Sequence, residues 1–217
     1  MKGDIIVLEE HHVRAASAIV PCILDAIGGK GARYVITVAG ESGSGKSETG
    51  QAMIDALGTH GIAGVLLGQD DYFVLPPKSN DAKRREDDMW LGPHVEVRFD
   101  LLEQNLVDAI GGADEIIKPL IDYDENSVED QTIDLRGIDV IVAEGTYTSL
   151  LKHVDTKVFI ARNRLDTLEH RQKRNRGDEV GDPFIEGVLK LEHKIIAGHK
   201  QLADFVITRE YDVIAVS

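Results

Sequence analysis

One run of residues carries the clearest chemistry in the chain: Gly40-Glu41-Ser42-Gly43-Ser44-Gly45-Lys46-Ser47. It fits the spacing G-x-x-x-x-G-K-[ST], and each position has a physical task. The glycines let the backbone curl until successive N–H groups point inward, where they can hold phosphate oxygens. A helix starting near Lys46 adds the positive end of its dipole. The Lys46 ammonium reaches the β- and γ-phosphates, and the Ser47 hydroxyl is placed to ligate Mg²⁺. No Asn-Lys-x-Asp guanine code occurs, so ATP is the expected nucleotide.

Two acids could complete a phosphoryl-transfer site. Gly68-Gln69-Asp70-Asp71-Tyr72-Phe73 follows an apolar run, and ligands of open parallel sheets bind at the carboxyl ends of strands. Asp70 is the candidate general base, drawing the proton from a substrate hydroxyl, with a Mg²⁺ contact through water. Asp71 could exchange roles with it. Val140-Ile141-Val142-Ala143-Glu144-Gly145 places Glu144 directly after a second apolar run, as a metal-side carboxylate. The basic concentration from Asp166 to Gly177 offers Arg171, Arg174 and Arg176 as counter-charge for the transferring group. Gly177 and Gly181 flank the following loop as hinges. The Lys83-Arg84-Arg85 run reads instead as solvated loop.

These side chains need elements to present them together. Residues 34–39 form a β-branched strand, 46–57 a helix closed by Gly58, and 62–67 a second strand. That order is a βαβ unit, which requires a parallel sheet. Apolar spacing predicts a helix over 13–27, with Pro21 kinking it. Residues 70–100 are polar and irregular and read as a long functional loop or flap. Further expectations are a helix over 99–110, a hairpin from 116–123 and 132–135, strands over 138–143 and 157–161, helices over 165–175 and 184–202, and a short strand over 205–208.

Composition narrows the class. With 24 basic against 38 acidic residues, the net charge of −14 argues against nonspecific nucleic-acid binding. Cys22 is the single cysteine, so no intrachain disulfide is available and a cysteine metal site is not expected. No apolar run reaches the length of a membrane span, and the first residues turn acidic too early for a signal peptide. A cytoplasmic setting is the expectation. At 217 residues the chain is the size of one α/β domain.

The ordered set of phosphate loop, Gly68–Phe73 stretch, residues 118–127, Val140–Gly145 stretch and basic helix resembles the uridine kinase and phosphoribulokinase family over residues 33–208. The resemblance implies an α/β, doubly wound, mostly parallel P-loop fold with a substrate flap and an arginine lid. It implies one kinase domain over 1–217: a helical extension at 1–32, a flap at about 74–98 and 118–135, and a lid at about 171–184. It implies transfer from ATP with Mg²⁺ to a hydroxyl of a nucleoside or pentose. By position Asp70 matches the family's catalytic aspartate, Glu144 the acid after the third strand, and Arg171, Arg174 and Arg176 the lid arginines. The resemblance also admits a homo-oligomer. Three departures bear on substrate: Asn126 and Val128 stand where uridine kinases carry a histidine and an arginine, and Gly92-Pro93-His94 replaces the family's Asp-His-Pro stretch before the middle helix. Tyr72, Phe73, Trp90, His94, Tyr123 and Asn126 are the candidate substrate contacts beside Asp70. A nucleotide-driven ATPase or switch acting on a protein partner is the alternative.

Overall fold

A computed structural model describes residues 1–2, 5–163, 165–167 and 182–216. The elements in chain order are α1 (Glu10–Gly29), β1 (Tyr34–Gly40), α2 (Lys46–Gly58), β2 (Gly64–Gly68), α3 (Pro77–Glu86), α4 (Phe99–Ile110), β3 (Glu115–Asp122), β4 (Ser127–Asp134), β5 (Val140–Gly145), β6 (Thr156–Ile160), α5 (Pro183–Ile196), β7 (Phe205–Ile207) and β8 (Val213–Ala215). The main sheet runs β2-β5-β1-β6-β7-β8. It is parallel except for the β7–β8 pair. Every residue of β1 and β5 is buried, as uninterrupted apolar strands covered on both faces must be. One core cluster joins α4 to the sheet, and the other joins α1 and α2. The expected doubly wound architecture is what forms.

Register decides where chemistry can occur. Val38 of β1 and Gly68 of β2 both pair with Glu144. The strand ends that precede the glycine loop, Asp70 and Gly145 therefore lie side by side, at the carboxyl edge where such sheets bind ligands.

Several expectations need correction. Helix α1 runs through Pro21 and extends beyond the expected 13–27, from Glu10 to Gly29. Pro21 and Ser17, whose carbonyl loses its amide partner, are both exposed, so water can satisfy it. The 70–100 stretch is not structureless. It contains a 3₁₀ turn over Gln69–Tyr72 and the ten-residue α3. Helix α3 starts on Pro77, suited to a first helical position, and ends on Lys83, Arg84 and Arg85, which favour a helix C-terminus. The hairpin is longer than expected, with eight residue pairs between β3 and β4. The helix expected to reach residue 202 ends at Ile196 and gives way to a 3₁₀ turn. Strand β8 was not foreseen. The helix expected over 165–175 lies mainly outside the described residues.

Candidate active site

The glycine loop is built as its sequence demands. Gly45 has φ +91, and a Cβ there would lie 2.1 Å from the Tyr211 hydroxyl and 2.8 Å from His12 Nε2. Only glycine fits that corner. Tyr211 donates to the Ser44 carbonyl at 2.5 Å, so the far end of the chain props the loop from behind. Lys46 Nζ donates to the Glu41 carbonyl at 3.0 Å. The Glu41 carboxylate is itself 2.6 Å from His193 Nδ1 on α5, which ties this helix to the loop.

Ser47 Oγ donates to Glu144 Oε1 at 2.9 Å. Burial pushes Glu144 up to about 7, and the neighbouring Asp70 charge adds to the rise; Lys46 and the Ser47 hydrogen bond oppose it. A carboxyl with this balance has too little positive charge beside it, and a cation would correct that. Among the described residues no three His, Cys, Asp or Glu side chains form a protein-only metal cage. The donor set of hydroxyl and carboxylates instead suits Mg²⁺, which keeps waters and takes other ligands from phosphates. Ser47, Asp70 and Glu144 fit that group.

A cleft of about 460 Å³ opens here. Ser42, Lys46, Ser47, Asp70, Glu144 and Thr146 line its reacting end, while Phe73, Tyr123, α3 residues and α5 residues line the rest. Asp70 thus faces the cleft. Asp71 turns away: it accepts from Lys118 Nζ at 2.5 Å and from the Ile121 amide at 3.1 Å, binding the turn to β3. Of the two acids, Asp70 lines the cleft and Asp71 does not.

The other predicted contacts divide. Phe73 and Tyr123 line the cleft. Tyr72 does not: it is fully buried and its hydroxyl accepts from Asn105 at 2.9 Å. Trp90 supports α3 from outside, donating through Nε1 to Asn80 Oδ1 at 2.8 Å. His94 is exposed and meets Phe99 edge-on. Asn126 is a clasp. Its Oδ1 accepts from the amides of Lys78 at 2.9 Å and Ser79 at 3.4 Å, and its Nδ2 donates to Ser79 Oγ. It supplies the cap that Pro76, with no polar side chain, cannot give α3. Arg171, Arg174 and Arg176 lie outside the described residues.

Sequence reasoning missed the wall formed by α3 and α5. Arg84 is mostly buried and donates to Glu96 Oε2 through Nε at 2.7 Å. Glu192 Oε1 lies 4.0 Å from Arg84 Nη2, the nitrogen that also pairs with Glu96 at 2.6 Å. Burial pushes Glu192 up to about 7. Glu192 did carry a signal: it shares the buried face of α5 with Val188, Leu189 and Ile196, an acid where an apolar residue belongs.

The model of the phosphoribulokinase / uridine kinase family matches residues 35–209. The chain belongs to that family. It is 31% identical over 190 residues to uridine kinase of Staphylococcus aureus, covering 81% of this chain and 87% of the relative. It is 30% identical over 192 residues to a bifunctional alpha-galactosidase/sucrose kinase of Mediterraneibacter gnavus. That match covers 83% of this chain but 20% of the relative, so the chain spans about a fifth of the bifunctional protein's length. Among solved structures it resembles D-glycerate 3-kinase from Cryptococcus neoformans, with TM-score 0.63 and 13% identity over 94% of this chain and 99% of that one. It also resembles phosphoribulokinase from Rhodobacter spheroides, with TM-score 0.60 and 13% identity over 81% and 70%. At these identities the structural matches speak to fold. A member of this family is a small-molecule kinase with an ATP-binding phosphate loop, and this chain is one. Among the described residues no helix is long and apolar enough to cross a membrane.

Proposed function

We propose that this kinase transfers the γ-phosphoryl group of ATP to a hydroxyl of a nucleoside or sugar, with Asp70 as general base. The observation that carries the reading is the convergence of Lys46, Ser47, Asp70 and Glu144 at one end of a single cleft. In this reading Asp70 accepts the proton of the acceptor hydroxyl as its oxygen bonds to the γ-phosphorus. The bond from that phosphorus to the bridging oxygen breaks, and ADP leaves with charge that Lys46 and the loop amides balance. Ser47 and Glu144, with Asp70, would hold Mg²⁺, which supplies further neutralisation of the phosphate oxygens when bound. The β3–β4 hairpin and α3 serve as the acceptor flap, and the lid falls to the segment bearing Arg171, Arg174 and Arg176. A cytoplasmic site of action belongs to the same reading, supported by the ATP requirement and the single cysteine. Nothing in the fold or the family supports a nucleotide-driven switch.

Replacing Asp70 with Asn tests the assignment. Acceptor-dependent ADP release should fall by roughly 10²–10⁴-fold, while ATP affinity measured by titration stays near that of the unaltered chain. Retained turnover in Asp70→Asn would remove Asp70 from the chemistry.

A further inference from the structure

Beyond the reacting end of the cleft, a cluster of carboxyl groups, a guanidinium and the Tyr147 hydroxyl leaves Glu192 Oε2 without a hydrogen-bond partner. Glu96 shows what a structural carboxylate looks like in this cluster. It is wholly buried, and its two oxygens accept from Arg84, from Asn80 Nδ2 at 3.1 Å and from the Gly92 amide at 3.1 Å. Glu192 differs. It is 8% exposed and lines the cleft, its Oε1 is 4.0 Å from Arg84 Nη2, and its Oε2 is buried with no hydrogen-bond partner. A buried carboxylate oxygen gives up its hydration, so native structures rarely leave one unpaired without a use. The guanidiniums on this wall are already committed: Arg84 to Glu96, and Arg85 to Asp182 at 2.6 Å and Asp81 at 3.2 Å.

We propose that Glu192 Oε2 accepts a hydrogen bond from an acceptor hydroxyl remote from the one phosphorylated, so that the subsite between α3 and α5 takes a neutral polyhydroxylated sugar. A sugar offers O–H donors on several edges, which suits the one carboxyl of this wall that lacks a close partner. A uracil ring flanks its single N3–H donor with two carbonyl oxygens that a carboxylate repels, and a sugar phosphate brings negative charge against Glu192 on a wall whose guanidiniums are already paired. The proposal rests on the phosphoryl-transfer reading above and narrows its acceptor.

The test measures ADP release by the full chain with ATP and Mg²⁺ against D-fructose, D-ribose, sucrose, uridine and ribose 5-phosphate. A neutral sugar should be the preferred acceptor. In Glu192→Gln its KM should rise roughly 10- to 100-fold, the weight of one charged hydrogen bond, with kcat and the KM for ATP little changed. Titration of the same sugar in the presence of a non-hydrolysable ATP analogue should show the matching loss of affinity. The Gln side chain is isosteric, so the melting temperature should hold or rise. Turnover confined to uridine or ribose 5-phosphate would overturn the subsite and leave the kinase reading intact. So would an unchanged sugar KM in Glu192→Gln, or a lowered melting temperature with both KM values raised, which would make Glu192 structural. Absence of transfer to every compound would overturn both readings.

Discussion

At the residue scale, the site is a contest between burial and charge. Glu144 and Glu192 are both pushed up to about 7, chiefly by burial. The native protein therefore holds protons that the unfolded chain releases above about pH 4.5. Stability should fall as pH rises from about 5 to about 7, and then level off. For Glu192 alone the loss is up to roughly 3 kcal/mol. Urea unfolding of the ligand-free chain at pH 5 and pH 8 measures it, and Glu192→Gln should show a smaller difference; an equal one would mean that Glu192 titrates normally. Gly45 makes the opposite kind of prediction. Gly45→Ala combines a disallowed φ with the Tyr211 collision, so it should cost roughly 2–4 kcal/mol and abolish ATP binding. Denaturant titration and ATP titration read the two effects separately.

At the element scale, α3 is the part that sequence concealed. Its residues are polar on nearly every face, so apolar periodicity has nothing to report. What holds it is a pair of long-range contacts, Arg84 to Glu96 and Asn126 to the first-turn amides. Asn126 was legible as a residue that matters but not as a cap, because capping from 47 and 48 residues away leaves no local spacing. Asn126→Ala should cost about 1 kcal/mol. It should also speed hydrogen exchange at Lys78 and Ser79 and raise the acceptor KM, with ATP affinity retained. Protection unchanged at those two amides would show the clasp to be idle. Tyr72 failed for a related reason: an aromatic beside a catalytic candidate looks like a contact, yet strand-to-turn geometry aims it at Asn105. The amphipathic helices α4 and α5 and the apolar strands β1 and β5 were readable because their burial is written along the chain at a fixed period.

At the scale of the whole molecule, parallel register does most of the positioning. β5 lies between β1 and β2, so three loops that are distant in sequence meet at one edge. That meeting was foreseeable from the βαβ pattern and the acids after apolar strands; the α3–α5 wall was not, since it depends on packing between non-consecutive elements. If the edge is a triphosphate site, ATP at a hundred times its Kd should stabilise the fold by about 2.7 kcal/mol. Differential scanning fluorimetry reads this as a melting-temperature rise of roughly 5–10 °C. No rise with ATP would mean that the fold does not bind the nucleotide.

The two-stranded β3–β4 sheet stands outside the main sheet, sharing no strand with it. Changes in the hairpin or in α3 can therefore alter the acceptor's surroundings without touching the hydrogen-bonded frame beneath the glycine loop. In the reading proposed above, such a layout separates inheritance from invention: the half that would grip the nucleotide can stay fixed while the half that would choose the acceptor is free to diversify.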